Sequence, residues 1–206
     1  MLCGIVSDTM NLRSPTTTQF DRNAVKALSH IVGMDTEGAI GAFAKEMFAA
    51  KSDVSHLTTE GKVTLDFKTF QLSGKKVGWG SGQTVDPAPY IANAGDYIEA
   101  AKSVKAKNSL DLMFFAITNI DPTVAQPTSL VFIVGPEELA VAKAAFPLWK
   151  PYTPPGASQP DPRLLDVGTL ASRKTQFIPG IGEALSKGQG KGEGKGEGKG
   201  AGRRLR

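Results

Sequence analysis

Cysteine occurs once in the 206 residues, at Cys3, which excludes an internal disulfide framework and a cysteine-built zinc site. Histidine occurs twice, at His30 and His56, and the spacing makes no metal pair. No apolar run approaches the roughly 20 residues of a membrane span. The opening stretch MLCGIVSDTM lacks the basic start and long apolar run of a secretory signal, so a cytoplasmic location is the expectation. Charge of one sign is also scarce in the body of the chain. The net charge is +4, but from Lys187 onward seven cations face only Glu193 and Glu197. That segment carries +5, which leaves about −1 for residues 1–186. The pI of 9.1 therefore belongs to the tail and does not mark a nucleic-acid-binding domain.

Apolar residues make up 40% of the sequence, enough for a core. LCGIVSD is a short apolar run and predicts a buried strand, with Asp8 at its end. Ser14, Pro15 and the threonines predict a loop and N-cap. A helix with Val25, Leu28, Ile31 and Val32 at helical spacing follows and stops at Gly33. DTEGAIGAFAKEMFAAK predicts a second helix capped by Asp35, with Ile40, Phe43, Met47 and Phe48 on one side. From Val63 the period becomes two. VTLDFKTFQL places Val63, Leu65, Phe67 and Thr69 on one face, and Asp66, Lys68 and Phe70 on the other. SGKK reads as a hairpin turn and KVGWGS as the returning strand. A helix over APYIANAGDYIEAAKSVKA precedes two apolar strands, LDLMFFAIT and SLVFIVG. PEELAVAKAAF is a helix with Pro136, Glu137 and Glu138 in its first turn, where acids favour the dipole. A proline-rich loop, an extended LLDVGTLASRKTQF and a short helix over PGIGEAL close the body. Strands alternating with helices predict an α/β fold with a mixed sheet.

The tail, GKGEGKGEGKGAGRRLR, alternates glycine with charge and cannot bury a core, so residues 187–206 are expected to be disordered. Its bland role is to solubilise; weak attachment to RNA or another polyanion is the sharper alternative.

Few residues point to chemistry. Lys68 stands between aromatic residues in mid-strand, where a solvated edge lysine is also common. Arg173 and Lys174 stand side by side beside apolar residues. The types match phosphate recognition, which wants a bidentate Arg and ammonium point charges. Asp8 follows an apolar segment, a position that suits a metal carboxylate and equally an Asx turn. GWGSG does not sit between a strand and a helix, as a phosphate loop should.

Taken in order, GIVSDTMNLRSPTTT, VTLDFKTF, LDLMFFAITNI and ASRKTQFIP resemble the manganese-dependent (family II) inorganic pyrophosphatases of the DHH phosphoesterase superfamily. The resemblance covers residues 2–185. It implies the C-terminal domain of a DHH-type phosphoesterase: a mixed sheet flanked by helices over 61–186, preceded by a strand and two helices left from the metal-binding domain over 1–60. It implies an inorganic diphosphatase that hydrolyses pyrophosphate to two phosphates with a water activated by two metals. The ions would be Mn2+, or Co2+ or Mg2+ in its place. Asp8 would be the bridging carboxylate, and Lys68, Arg173 and Lys174 would grip the substrate and stabilise its developing charge. The Arg–Lys pair would be held at the edge of a packed strand.

The family's His-x-x-x-Asp-x-Asp and Asp-His-His motifs are missing, and one carboxylate cannot hold two metals. The expectation is a fragment that is inactive alone and needs a complementing N-terminal domain. The family also differs at Ser81, Gln83, Asn119 and Thr175. The alternatives are a non-catalytic phosphate- or polyphosphate-binding module and part of an exopolyphosphatase. No membrane partner is expected, and nucleic acid only weakly through the tail.

Overall fold

Leu112–Asn119 (β3) is buried along almost its whole length and forms the centre of the sheet. It pairs in parallel with Lys75–Thr84 (β2) and antiparallel with Thr128–Phe132 (β4). Phe67–Leu72 (β1) makes a hairpin with β2, turning through Ser73 and Gly74, both at positive φ. Asp161–Asp166 (β6) and the short Lys150–Tyr152 (β5) complete a six-stranded sheet of order β1-β2-β3-β4-β6-β5. The computed structural model describes residues 1–34 and 36–190. The expected α/β fold with a mixed sheet is what forms.

Helices cover both faces. On one face, Thr59–Thr64 (α4), Ala88–Ala92 (α5) and Ala94–Lys107 (α6) bury Val63, Tyr97 and Val104 against Phe115, Ile117 and Phe132. Burial pushes the Tyr97 phenol up to about 12. On the other face, Pro136–Ala145 (α7) and Ile178–Gly190 (α8) cover Trp79, Phe114 and Leu165. Glycines 78, 80 and 82 of β2 all lie towards the first face. A Cβ on Gly80 would stand 2.4 Å from the Val63 carbonyl oxygen, so glycine lets α4 end against the strand. That is the role of GWGSG.

Glu138 does more than favour a helix dipole. It is 1% exposed, accepts from Lys105 Nζ at 2.6 Å and from the Met113 N–H at 3.2 Å, and so ties α7 to α6 and β3.

A third cluster joins Leu2–Asp8 (α1), Gln19–Ile31 (α2) and Glu37–Ser52 (α3) through Val6, Val25, Ala44 and Phe48, and reaches the sheet at Ile120. Arg13 fastens this unit. It donates to the carbonyls of Met10, Ile120, Asp121 and Val124 at 2.8–2.9 Å. Thr18 and Asp21 form a reciprocal cap on α2.

Five local expectations are corrected. LCGIVSD is helical. Among the described residues no strand pairs with it, whereas a helix pairs its backbone internally, and Leu2, Val6 and Met10 then fall on one buried side. Three helices, not a strand and two helices, therefore precede α4. The VTLDFKTF strand begins at Phe67; Val63 sits in α4 and Leu65 is 61% exposed. The helix over 88–107 breaks at Asn93, and Ile31 and Val32 lie exposed. Finally, Arg173–Phe177 is a π-helical turn, not a strand edge. The N-cap of α3 is Thr36; the expected cap Asp35 lies outside the described residues. Helix α8 takes in Lys187–Gly190, and the rest of the expected tail, 191–206, also lies outside them. No described helix is long and apolar enough to cross a membrane.

Candidate functional site

The π-helical turn is seated by Phe177. Its ring stacks on Trp79 at 4.6 Å and meets Phe146 edge-on at 5.6 Å. Ser172 caps the turn, and Gln176 Oε1 accepts the N–H groups of Ala171 and Ser172. This geometry aims Arg173 back at the start of β1. Its Nη1 lies 3.0 Å from the Asp66 carbonyl and 2.8 Å from Asp66 Oδ1. Asp66 is held in turn by the Ser81 N–H, which donates to the same carbonyl. Two residues further on, Lys68 stands exposed opposite Trp79, on the face of the sheet that Phe177 covers. Lys174 is exposed beside Arg173.

Asp66 is also one wall of a cleft of about 390 Å³. Ser7 and Asp8 enter it from the end of α1, Lys51 from the end of α3, Lys62 from α4, and Ser81 and Gln83 from β2. Asp8 thus reaches the cleft from a helix rather than a strand. Asp66 links the two groups of residues, since it lines the cleft beside Asp8 and binds Arg173. Lys51 Nζ donates to Ser7 Oγ at 2.9 Å. Lys51 is exposed as a whole residue, yet the protein around its charged end pulls its pKa down; Asp8 and Asp66 partly offset that. Trp79 Nε1 donates to Ser81 Oγ at 2.7 Å.

Of the candidates the sequence offers, Asp8 lines the cleft, whereas Lys68, Arg173 and Lys174 stand outside its lining. Sequence reasoning did not assign roles to Lys51, Lys62 or Asp66. Lys51 and Lys62 lie on separate helices and carry no local signal; the D-x-K spacing of Asp66 and Lys68 was the one visible hint.

The residues present do not make a manganese centre. Two carboxylates face the cleft. Among the described residues no group of three or more His, Cys, Asp or Glu side chains could hold a metal ion.

Comparison with known proteins settles the family. Residues 45–184 match the DHHA2 domain. The chain belongs to the DHHA2 domain family. Its DHHA2 domain begins within α3 and runs almost to the end of α8, so it takes in Lys51, Lys62, Lys68, Arg173 and Lys174, whereas Asp8 lies before it. The chain is similar to the manganese-dependent inorganic pyrophosphatase of Bacillus subtilis, 34% identical over 144 residues, which cover 70% of this chain and 44% of that protein. It is 33% identical over 139 residues to the manganese-dependent inorganic pyrophosphatase of Methanocaldococcus jannaschii, covering 68% of this chain and 43% of the other. A solved Methanococcus jannaschii structure, described as a family II inorganic pyrophosphatase, superposes with a TM-score of 0.71 at 29% identity, over 90% of this chain and 54% of that one. The chain spans about half the length of the curated relatives it matches. The DHHA2 domain and these relatives bear out the expected resemblance and its α/β fold.

Proposed function

We propose that this chain is the substrate-binding half of an inorganic pyrophosphatase, with Lys68, Arg173 and Lys174 gripping the phosphates. One observation carries the reading. The turn bearing Arg173 and Lys174 is tied by Arg173 to Asp66, which introduces the strand bearing Lys68 and lines the cleft that contains Asp8. Asp66 and Arg173, more than 100 positions apart, are thereby joined at the edge of that cleft, while Lys68, Arg173 and Lys174 themselves stand outside its lining. Pyrophosphate repels an incoming nucleophile through its own charge, and cations that meet the developing charge lower that barrier. The relatives' names supply the substrate. Arg173 spends only Nη1 on Asp66, so the rest of its guanidinium fork can meet a phosphate oxygen while that contact is kept.

Manganese in this reading needs ligands from outside the chain, with Asp8 the carboxylate that this chain adds. The division at about residue 60 follows the same reading, with 1–60 belonging to the metal-binding side and 61–186 to the substrate side. A cytoplasmic setting fits a soluble phosphoanhydride. The test is phosphate release from pyrophosphate with manganese. The expected result is no turnover by residues 1–206 alone, and turnover when the N-terminal half of the Bacillus subtilis relative is fused in front of them. Manganese-dependent turnover by the bare chain, abolished in Asp8→Ala, would refute the need for outside ligands.

A further inference from the structure

We propose that Lys51, Lys62 and Gln83 form a seat for monohydrogen phosphate on the inner wall of the cleft, distinct from the Lys68–Arg173–Lys174 group. The inference deepens the pyrophosphatase reading, since orthophosphate is the product of that reaction, and takes its biological meaning from it.

Three observations carry it. First, Lys51 and Lys62 line the cleft from different helices. Neither ammonium makes a contact ion pair with a described residue. Lys51 is held by a neutral hydroxyl, Ser7 Oγ, which leaves two of its three N–H donors unspent. Second, the balance of charge favours an anion. Asp66 is already paired with Arg173 at 2.8 Å, so the uncommitted groups are two ammoniums and the Asp8 carboxylate. Third, Gln83 lines the same cleft, and its Oε1 is buried with no hydrogen-bond partner. A buried acceptor left unpaired is costly and calls for a donor. Its terminal torsion is soft, so the amide can turn to bring that oxygen to the cleft when a donor binds there.

A ligand that satisfies all three must be anionic and must also carry a donor. Monohydrogen phosphate does both: its charged oxygens accept from Lys51 and Lys62, and its one P–OH donates to Gln83 Oε1. Sulfate has the same shape and charge but no proton to give, so the Gln83 acceptor selects against it.

The experiment is calorimetric titration of sodium phosphate, and separately of sodium sulfate, into the full chain. It is run at pH 7.5 and constant ionic strength with EDTA present. Phosphate should bind saturably, and sulfate at least about tenfold more weakly, the 1.4 kcal/mol equivalent of one hydrogen bond to a buried group. Lys51→Ala and Lys62→Ala should each weaken phosphate binding severalfold. Gln83→Leu should weaken phosphate and erase its advantage over sulfate. Lys102→Ala, on the exposed side of α6 beside Glu99, should change nothing. Circular dichroism of each variant checks the fold. Equal binding of sulfate and phosphate, parental binding by the lysine variants, or no saturable binding by the parent would each overturn the seat. Loss confined to Lys68→Ala, Arg173→Ala and Lys174→Ala overturns the seat while leaving the pyrophosphatase reading intact. Phosphate selectivity as stated, with no turnover in the fused protein, keeps the seat and overturns that reading instead.

Discussion

Replacing Phe177 by alanine should unseat the turn that carries Arg173 and Lys174. The ring is 2% exposed and lies between Trp79 and Phe146, both of them fully buried or nearly so. Truncating a buried Phe costs about 3–5 kcal/mol from lost transfer energy and the cavity left behind. Two aromatic contacts are lost as well, and α8 can relax only where its other anchors, Ile181 and Leu185, allow. The middle of the range, about 4 kcal/mol, is therefore expected. Since about 1 kcal/mol shifts the midpoint by about 2–4 °C in a chain of this length, the melting temperature should fall by about 8–16 °C. Phe177→Leu keeps most of the volume and should cost less than about 1.5 kcal/mol. Urea denaturation followed by circular dichroism measures both. In the fused enzyme, Phe177→Ala should also lose turnover at temperatures where it stays folded, because Arg173 loses its aim. A loss below about 1 kcal/mol for the alanine variant would show that the ring does not anchor the turn.

Glu138→Ala leaves the Met113 N–H and the Lys105 ammonium without their acceptor. It should cost about 3 kcal/mol in urea denaturation, the low end for a broken buried pair because Lys105 is 29% exposed; a cost within experimental error would contradict the buried contact. The chain should also lose stability in acid. The Arg163 guanidinium holds the Asp161 carboxyl below its usual range, and the Thr18 backbone and hydroxyl do the same for Asp21. A depressed folded-state pKa contributes stability that is present above the ordinary Asp value of about 4 and is lost as pH falls through the lower folded value. Asp161→Asn should flatten the acid side of a stability–pH profile, and an unchanged slope would count against the assignment.

Segments that carry their own signal were legible. The β1–β2 hairpin follows from alternation and a Ser-Gly turn, β3 from an apolar run with no polar break, and α7 from proline and acids at its start. Segments decided by their surroundings were not. LCGIVSD has the composition of a buried strand, but strand or helix depends on whether another strand lies beside it, and among the described residues none pairs with it. The ASRKTQF stretch looked extended because it is short and mixed. It coils because Phe177 must reach Trp79 while Gln176 closes back on Ala171. Lys68, Arg173 and Lys174 were visible as candidates through a motif. Lys51, Lys62 and Gln83 stand on three elements and share one cleft only after the chain has folded.

The central claim is that Lys68, Arg173 and Lys174 grip the reacting phosphates. The direct measurement is steady-state phosphate release from pyrophosphate by the fused enzyme with manganese, for Lys68→Ala, Arg173→Ala and Lys174→Ala beside the parent. Each lost contact to the reacting group should exceed about 1.4 kcal/mol, so each variant should lose at least about tenfold in turnover. Arg173→Lys should recover only part of the loss, and manganese affinity should stay at the parental value in all four. Turnover within about twofold of the parent in all three alanine variants is what solvated surface cations would give, and it would contradict the account.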